Sequence, residues 1–297
     1  MFLGKLEKEN GRMAILIDGR AVAKEINENT AERVARLANE GIIPGLAVIL
    51  VGDDPASKIY TRMKDKKAKK LGIHSVLSVY PEDVRQEELL HDIRQFNEDK
   101  LINGILIQEP LPDHLDGNEL LNAIDPRKDV DGFHPFNVGC LYNNIKENYP
   151  VSCTPRGIMS LLKHYQVNLE GARAVVIGRS ILVGKPMAAL LENANATVTV
   201  ANRHTRNLSE ITRQADVLVV AAGVKHLITG EMVKKGAIII DVGIHRLKDK
   251  TLTGDVDFES VAPVAKMITP VPGGVGPMTI ATLMEQTVDL TEWSHNG

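Results

Sequence analysis

Tyr60 and Lys64 stand four residues apart in the stretch YTRMKDKKAKK (Tyr60–Lys70), which holds five lysines between Lys64 and Lys70. The surrounding ASKIYTRMKDKKAKKLG, with Gly72 as its stop, predicts a helix, and on a helix the two side chains share one face. Crowding by Lys66, Lys67 and other cations disfavours the charged form of a lysine, and burial acts in the same direction, toward an amine able to serve as a base. The competing reading is a solvated helix face, the usual setting of a lysine run.

A second constellation is VVIGRSILVGKP, a strand, then Gly178, then Gly184 six residues on, then the apolar helix MAALLENA. A glycine-rich turn between a strand and a helix start suits a phosphate, because the backbone approaches closely and free N–H groups point at the anion. The usual G-x-G-x-x-G is absent: Ser180 stands at the second glycine and the last glycine comes one position late. Taken alone, a plain strand-to-helix turn explains it equally well. Context favours the phosphate. A second strand ends at Ala201, where an NAD site would place an acid; the chain instead reads ANRHT, with Arg203. An arginine there suits a 2′-phosphate, and Arg179 could join it; the plainer alternative is a surface arginine after a strand.

Other candidates read more plainly. Cys153 has no histidine placed by sequence to activate it and is read as a small packing residue. His134 in GFHP is read as a hydrogen-bonded loop residue. Asp129 and Asp131 resemble a paired carboxylate, but nothing else in the chain supports glycosidic hydrolysis. The Tyr/Lys spacing also occurs in short-chain dehydrogenases, where it follows the dinucleotide fold; here it precedes the phosphate turn by more than a hundred residues, which disfavours that reading.

The elements that must carry these groups alternate. GLAVILVG, INGILIQEPLP, ARAVVIG, ATVTVA, ADVLVVAAG and GAIIIDVG are short apolar runs separated by helical stretches, which implies parallel sheet covered on both faces. The fold class is therefore α/β. The polar NNIKENYPVS (143–152) is the expected domain connection. The 297 residues suffice for two domains, with 43% apolar and 25% charged residues. A net charge of −3 argues against a nucleic-acid binder. No apolar run reaches the roughly 20 residues that span a bilayer, so no membrane partner is expected. MFLGKLEKENGR is not a secretory signal and is expected to be a short disordered extension. Cys140 and Cys153 form neither a disulfide framework nor a metal-type spacing, which suits a reducing cytoplasm with no metal.

VGDDPASKIYTRMKDKKAKKLGI, GILIQEPLP, DPRKDVDGFHPFNVG, CTPRGI, VVIGRSILVGKPMAALL, GAIIIDVGI, GDVDF and ITPVPGGVGPMTIATLM occur in order. In this series the chain resembles the bifunctional methylenetetrahydrofolate dehydrogenase/methenyltetrahydrofolate cyclohydrolase family, from about Met13 to Glu285. The resemblance implies two α/β domains around a cleft, the second a Rossmann-type doubly wound parallel sheet. It implies a catalytic and folate-binding domain over 13–150, a domain binding NADP over 151–276, and a helix at 277–293 packing back on the first. It makes Lys64 the catalytic lysine, Gln108 its positioning partner, Tyr60 a stacking residue and Asp131 a hydrogen-bonding partner of the pterin. Gly178, Arg179, Ser180 and Arg203 would hold the cofactor, with Ile244 beside the nicotinamide half. Pro272 and Gly273 would border the cleft, and a cis Val–Pro bond costs little there. The implied chemistry is oxidation of 5,10-methylenetetrahydrofolate by NADP⁺ and hydrolysis of the methenyl product to 10-formyltetrahydrofolate, by a homodimer.

One departure is Glu109, where the family usually has Leu. A carboxylate there either raises the basicity of Lys64 or, as strand alternation favours, points elsewhere. Rival readings are a dehydrogenase-only member, a shikimate-type dehydrogenase on the same plan, and a nucleotide-binding regulatory protein without catalysis.

Overall fold

Continuous apolar runs become buried strands here because helices cover both of their faces. The computed structural model describes residues 7–8, 11–12 and 14–295, the first four in backbone only. Within the expected disordered extension, Glu7–Lys8 and Gly11–Arg12 pair as antiparallel strands; the rest of that stretch lies outside the described residues. The chain divides into two units. One comprises the described residues of Met1–Ala23 with Thr154–Thr279, the other Lys24–Cys153 with those of Ile280–Gly297.

The second unit holds a three-stranded parallel sheet ordered His74–Tyr80, Gly45–Val51, Gly104–Ile107. Every residue of Gly45–Val51 is buried. Alternation sends Ala47, Ile49 and Val51 to one face, against Leu89 and Ile93 of the helix Gln86–Glu98 and Leu120 of Gly117–Ala123. Leu46 and Val48 take the other face, against Val34 and Leu37 of the helix Gly19–Asn39 and Leu283, Met284 and Val288 of Val275–His295. Arg33 adds a half-buried ion pair to Asp289 at 2.6 Å and another to Glu292 at 2.7 Å.

The first unit holds a six-stranded parallel sheet ordered Ile15–Leu16, Met267–Ile268, Ile238–Asp241, Val217–Val220, Arg173–Ile177, Thr197–Ala201. From Arg173–Ile177 the chain moves to one side for its next strand and to the other for the one after. That reversal opens a crevice outside the carboxyl ends of the strands, the usual ligand position in such sheets.

One expectation changes, and one element is new. Ile15–Leu16, expected with the N-terminal block, joins the six-stranded sheet, where Ile15 N–H donates to Lys266 O and Ile17 N–H to Ile268 O, both at 2.9 Å. A two-residue strand cannot found a sheet of its own, and here it covers an otherwise bare edge. The strand His74–Tyr80 had no clear signal in the sequence, because HSVLSVY is a partly exposed edge that mixes polar and apolar residues.

Candidate functional site

The helix Pro55–Lys70 is fixed by its ends. The Asp54 carboxylate accepts from Ser57 N–H at 2.7 Å, and Pro55 starts the first turn. At the other end Leu71 N–H closes onto the Lys67 and Ala68 carbonyls, and Gly72 takes φ +81°. Lys67, Lys69 and Lys70 sit in the last turn, where cations meet the negative end of the helix dipole. Ser57 and Thr61 turn inward and are buried; Lys64 is half-buried, while Lys66, Lys69 and Lys70 are exposed. Lys64 Nζ donates to Gln108 Oε1 at 3.0 Å. Lys69 instead pairs with Asp65 at 2.9 Å, as a solvated i,i+4 ion pair does.

Gln108 continues the strand Gly104–Ile107 in register, its N–H donating to Ile49 O at 2.8 Å. Its Nε2 donates to Glu109 O at 2.7 Å, which leaves Oε1 as the acceptor for the lysine. Ser57 Oγ donates to the same carbonyl at 3.3 Å. The Glu109 carboxylate is exposed and accepts from Leu111 N–H at 3.2 Å, in its own turn rather than at Lys64.

Asp131 lies just past Asp129, which bridges to Ile105 beside the same strand. Gly132 has φ +69°, and a Cβ on it would collide with the Val151–Ser152 backbone. Burial pushes the Asp131 carboxyl up, opposed by the charge of Lys64 and by the Cys153 thiol. Lys64, Gln108 and Asp131 are thus one electrostatic cluster, and Tyr60, a turn before the lysine, is 42% exposed. Asp129 belongs to the loop instead: it is buried and accepts from His134 N–H at 2.8 Å and Asn137 Nδ2 at 2.9 Å. His134 caps the helix Pro135–Tyr142 through Nδ1.

Gln286 had no role in the sequence reading. Fully buried, it donates from Nε2 to Val130 O at 2.6 Å and Val151 O at 2.9 Å, and accepts from Val151 N–H at 3.1 Å. It clamps the segment next to Asp131. The signal was an amide within an apolar helical run.

In the six-stranded unit, Gly178 ends its strand at φ +119°, and a Cβ there would collide with Ala221 O. A Cβ on Gly184 would collide with Gly178 O. Both positions need glycine for close approach of backbone to backbone. Ser180 Oγ accepts from Val183 N–H at 3.1 Å and Gly184 N–H at 3.5 Å, so it braces the start of the helix Gly184–Asn193. Arg179 is exposed. Arg203 lies past Thr197–Ala201 in a turn held by Asn202 and Thr205; its Nε donates to His204 Nε2 at 3.1 Å, and it pairs with no carboxylate among the described residues. A glycine-lined turn with two exposed arginines at a strand reversal fits a phosphorylated dinucleotide. Ile244 is 48% exposed after Ile238–Asp241. Pro272 is exposed behind a cis bond, and Gly273, at φ +114°, accepts from Arg20 N–H at 3.2 Å.

Two buried acids beneath these loops were also missed. Asp241 accepts from Gly243, Asp255 and Val256 N–H groups, each at 3.0 Å. Asp255 accepts from Ala222 N–H at 2.7 Å and Gly223 N–H at 2.9 Å, and meets His245 Nε2 at 2.7 Å. DVG and GDVDF marked both positions without a role.

A separate cavity of about 970 Å³ in the three-stranded unit, lined by Asn97, Lys128, Phe136, Tyr149 and Trp293, contains none of the residues singled out from the sequence. No described helix is long and apolar enough to cross a membrane.

Residues 17–131 match the family model described as tetrahydrofolate dehydrogenase/cyclohydrolase, catalytic domain, and residues 152–295 its NAD(P)-binding domain. The chain is 59% identical to the bifunctional protein FolD of Limosilactobacillus reuteri, over 96% of this chain and 100% of that protein. It superposes with TM-score 0.93 on the bifunctional methylenetetrahydrofolate dehydrogenase/cyclohydrolase FolD of Campylobacter jejuni, at 48% identity over 95% of this chain and 99% of that one. The Trypanosoma brucei N5,N10-methylenetetrahydrofolate dehydrogenase-cyclohydrolase, solved with NADP cofactor and inhibitor, gives TM-score 0.92 at 39% identity, over 96% and 99%.

Proposed function

The chain belongs to the tetrahydrofolate dehydrogenase/cyclohydrolase family, and on that premise we propose that it oxidises 5,10-methylenetetrahydrofolate with NADP⁺ and hydrolyses the methenyl product to 10-formyltetrahydrofolate. The observation that carries this reading is the Lys64 Nζ to Gln108 Oε1 hydrogen bond at 3.0 Å, with Asp131 in the same electrostatic cluster.

In the hydrolysis, water adds to the methenyl carbon and the bond from that carbon to N5 breaks. Lys64 takes a proton from the attacking water and returns one to N5; the second proton of the water leaves to solvent. Gln108 holds the amine through Oε1 because its own Nε2 is committed to the Glu109 carbonyl. Asp131 is assigned to the polar edge of the pterin and Tyr60 to its face. The remaining lysines stay solvated, and some of them attract the anionic tail of the folate.

NADP⁺ supplies the hydride acceptor. Gly178 and Gly184 give its pyrophosphate close approach to backbone, Ser180 keeps that turn in shape, and Arg179 and Arg203 neutralise the 2′-phosphate. Ile244, Pro272 and Gly273 are assigned to the walls that orient the reacting rings.

The protein is further proposed to work as a homodimer in a reducing cytoplasm. An exposed edge strand, Thr197–Ala201, with Val200 43% exposed, supports the first, and two cysteines that form no disulfide among the described residues support the second. Light scattering should give twice the chain mass at micromolar concentration; the single-chain mass would refute the dimer.

A spectrophotometric assay for methenyltetrahydrofolate, run with NADP⁺ and NAD⁺ in parallel, tests the activity. Turnover is expected with preference for NADP⁺. No methenyl product with either cofactor would sink the reading.

A further inference from the structure

Past the carboxyl ends of Val217–Val220 and Ile238–Asp241 the sheet ladder continues for one residue on each strand, with Ala221 N–H donating to Ile177 O at 2.7 Å and Val242 N–H to Val220 O at 2.9 Å. Beyond that, the chain leaves the sheet, and the next N–H groups need other acceptors. Asp255 supplies them. One carboxylate oxygen takes both Ala222 and Gly223 N–H; the other takes His245 Nε2. Asp255 is 0% exposed, and a Cβ on Gly243 would overlap its carboxylate. A single buried group therefore joins the loop after one strand to the loop after its neighbour.

Burying a carboxylate costs free energy that an apolar residue of similar volume would avoid. Here a second one, Asp241, lies against it, accepting from Asp255 N–H at 3.0 Å. What the pair holds is informative: the two tied loops carry Val224 and Ile244, which are 50% and 48% exposed at the carboxyl edge of the sheet. Closing a loop would not by itself require apolar side chains to be held outward there.

We propose that Asp255 is a positioning residue for hydride transfer, fixing through its Ala222, Gly223 and His245 bonds the loop surface that carries Ile244, and that the hydrolytic step does not need it. This rests on the functional reading above. Asp255→Ala removes every acceptor. It should lower dehydrogenase turnover and weaken NADP⁺ binding, measured by isothermal titration calorimetry, by roughly ten- to a hundred-fold, the scale of a misplacement of about an ångström. Hydrolysis of methenyltetrahydrofolate, measured without cofactor, should stay within about two-fold, since no residue assigned to that step is touched. Asp255→Asn should restore most of the loss, because its carbonyl still accepts from Ala222 and Gly223 while its amide donates to a neutral His245 Nε2.

If Asp255→Ala fails to fold, His245→Phe and His245→Gln carry the test. Phe should weaken NADP⁺ binding and dehydrogenase turnover several-fold with hydrolysis unchanged, and Gln, which keeps a donor, should not. Equal loss of both activities, or unchanged NADP⁺ affinity and dehydrogenase turnover, overturns the proposal. A wild-type protein lacking both activities would instead overturn the functional reading.

Discussion

In the three-stranded unit the polar groups assigned to the chemistry are side chains: Lys64 from the middle of a helix, Gln108 from a strand end, Asp131 from the loop beside it. In the six-stranded unit they are largely backbone, shaped by Gly178 and Gly184 and braced from beneath by Asp241 and Asp255. The difference teaches where each half is vulnerable. A side-chain site fails when an atom is removed. A backbone site fails when a support is removed or a Cβ is added, and it tolerates changes in exposed side chains that touch nothing.

The sharpest break of this contrast is Lys64→Met, which keeps the stem and deletes the amine. Cyclohydrolase activity should fall by about 10² or more, the usual loss for a general acid or base. The dehydrogenase should fall less, since ring placement dominates that step. Intact NADP⁺ binding would confirm that the fold survives; wild-type hydrolysis would remove Lys64 from the chemistry.

Asp241 tests the bracing. Burial lifts its carboxyl from the ordinary 3.8 to about 6 despite three N–H donors. The folded protein thus keeps a proton that the unfolded chain has released, so this group's stabilisation is full below pH 3.8 and is lost as pH rises through about 6. The difference is worth about 3 kcal/mol. Asp241→Asn cannot titrate. The unfolding free energy of the wild type minus that of the variant should therefore fall by about 3 kcal/mol between roughly pH 3 and pH 7. A flat difference in urea titrations would show that the buried acid is not strained.

Arg203→Ala sharpens the cofactor side. Losing a charge-assisted contact of about 1.5–3 kcal/mol should raise the KM for NADP⁺ roughly ten- to more than a hundred-fold and leave NAD⁺ nearly unchanged. Equal losses with both would make the arginine structural.

The smallest expected effect is the control Lys67→Met, within about two-fold for either activity, as for a side chain outside the acid–base pair. A loss matching that of Lys64→Met would mean that the lysine run acts as a collective patch.

Much of this was legible in the chain because it rests on short-range chemistry. GLAVILV is a buried strand from its composition alone, Asp54-Pro55 and Gly72 bound a helix by capping, and a four-residue spacing puts Tyr60 and Lys64 on one face. The glycines of VVIGRSILVGKP announce a close backbone approach. Tertiary structure decided the rest. It brought Gln108 up to Lys64, 44 residues away, and turned Glu109 toward Leu111. It moved Ile15–Leu16 into a sheet built from the other end of the chain, and set Gln286 against Val130 across 156 residues. Asp255 reaches Ala222 across 33 residues. Periodicity, caps and turn residues record what a segment does within itself. Which buried polar group finds which partner depends on loop closures over tens to hundreds of residues, and no local pattern carries that information.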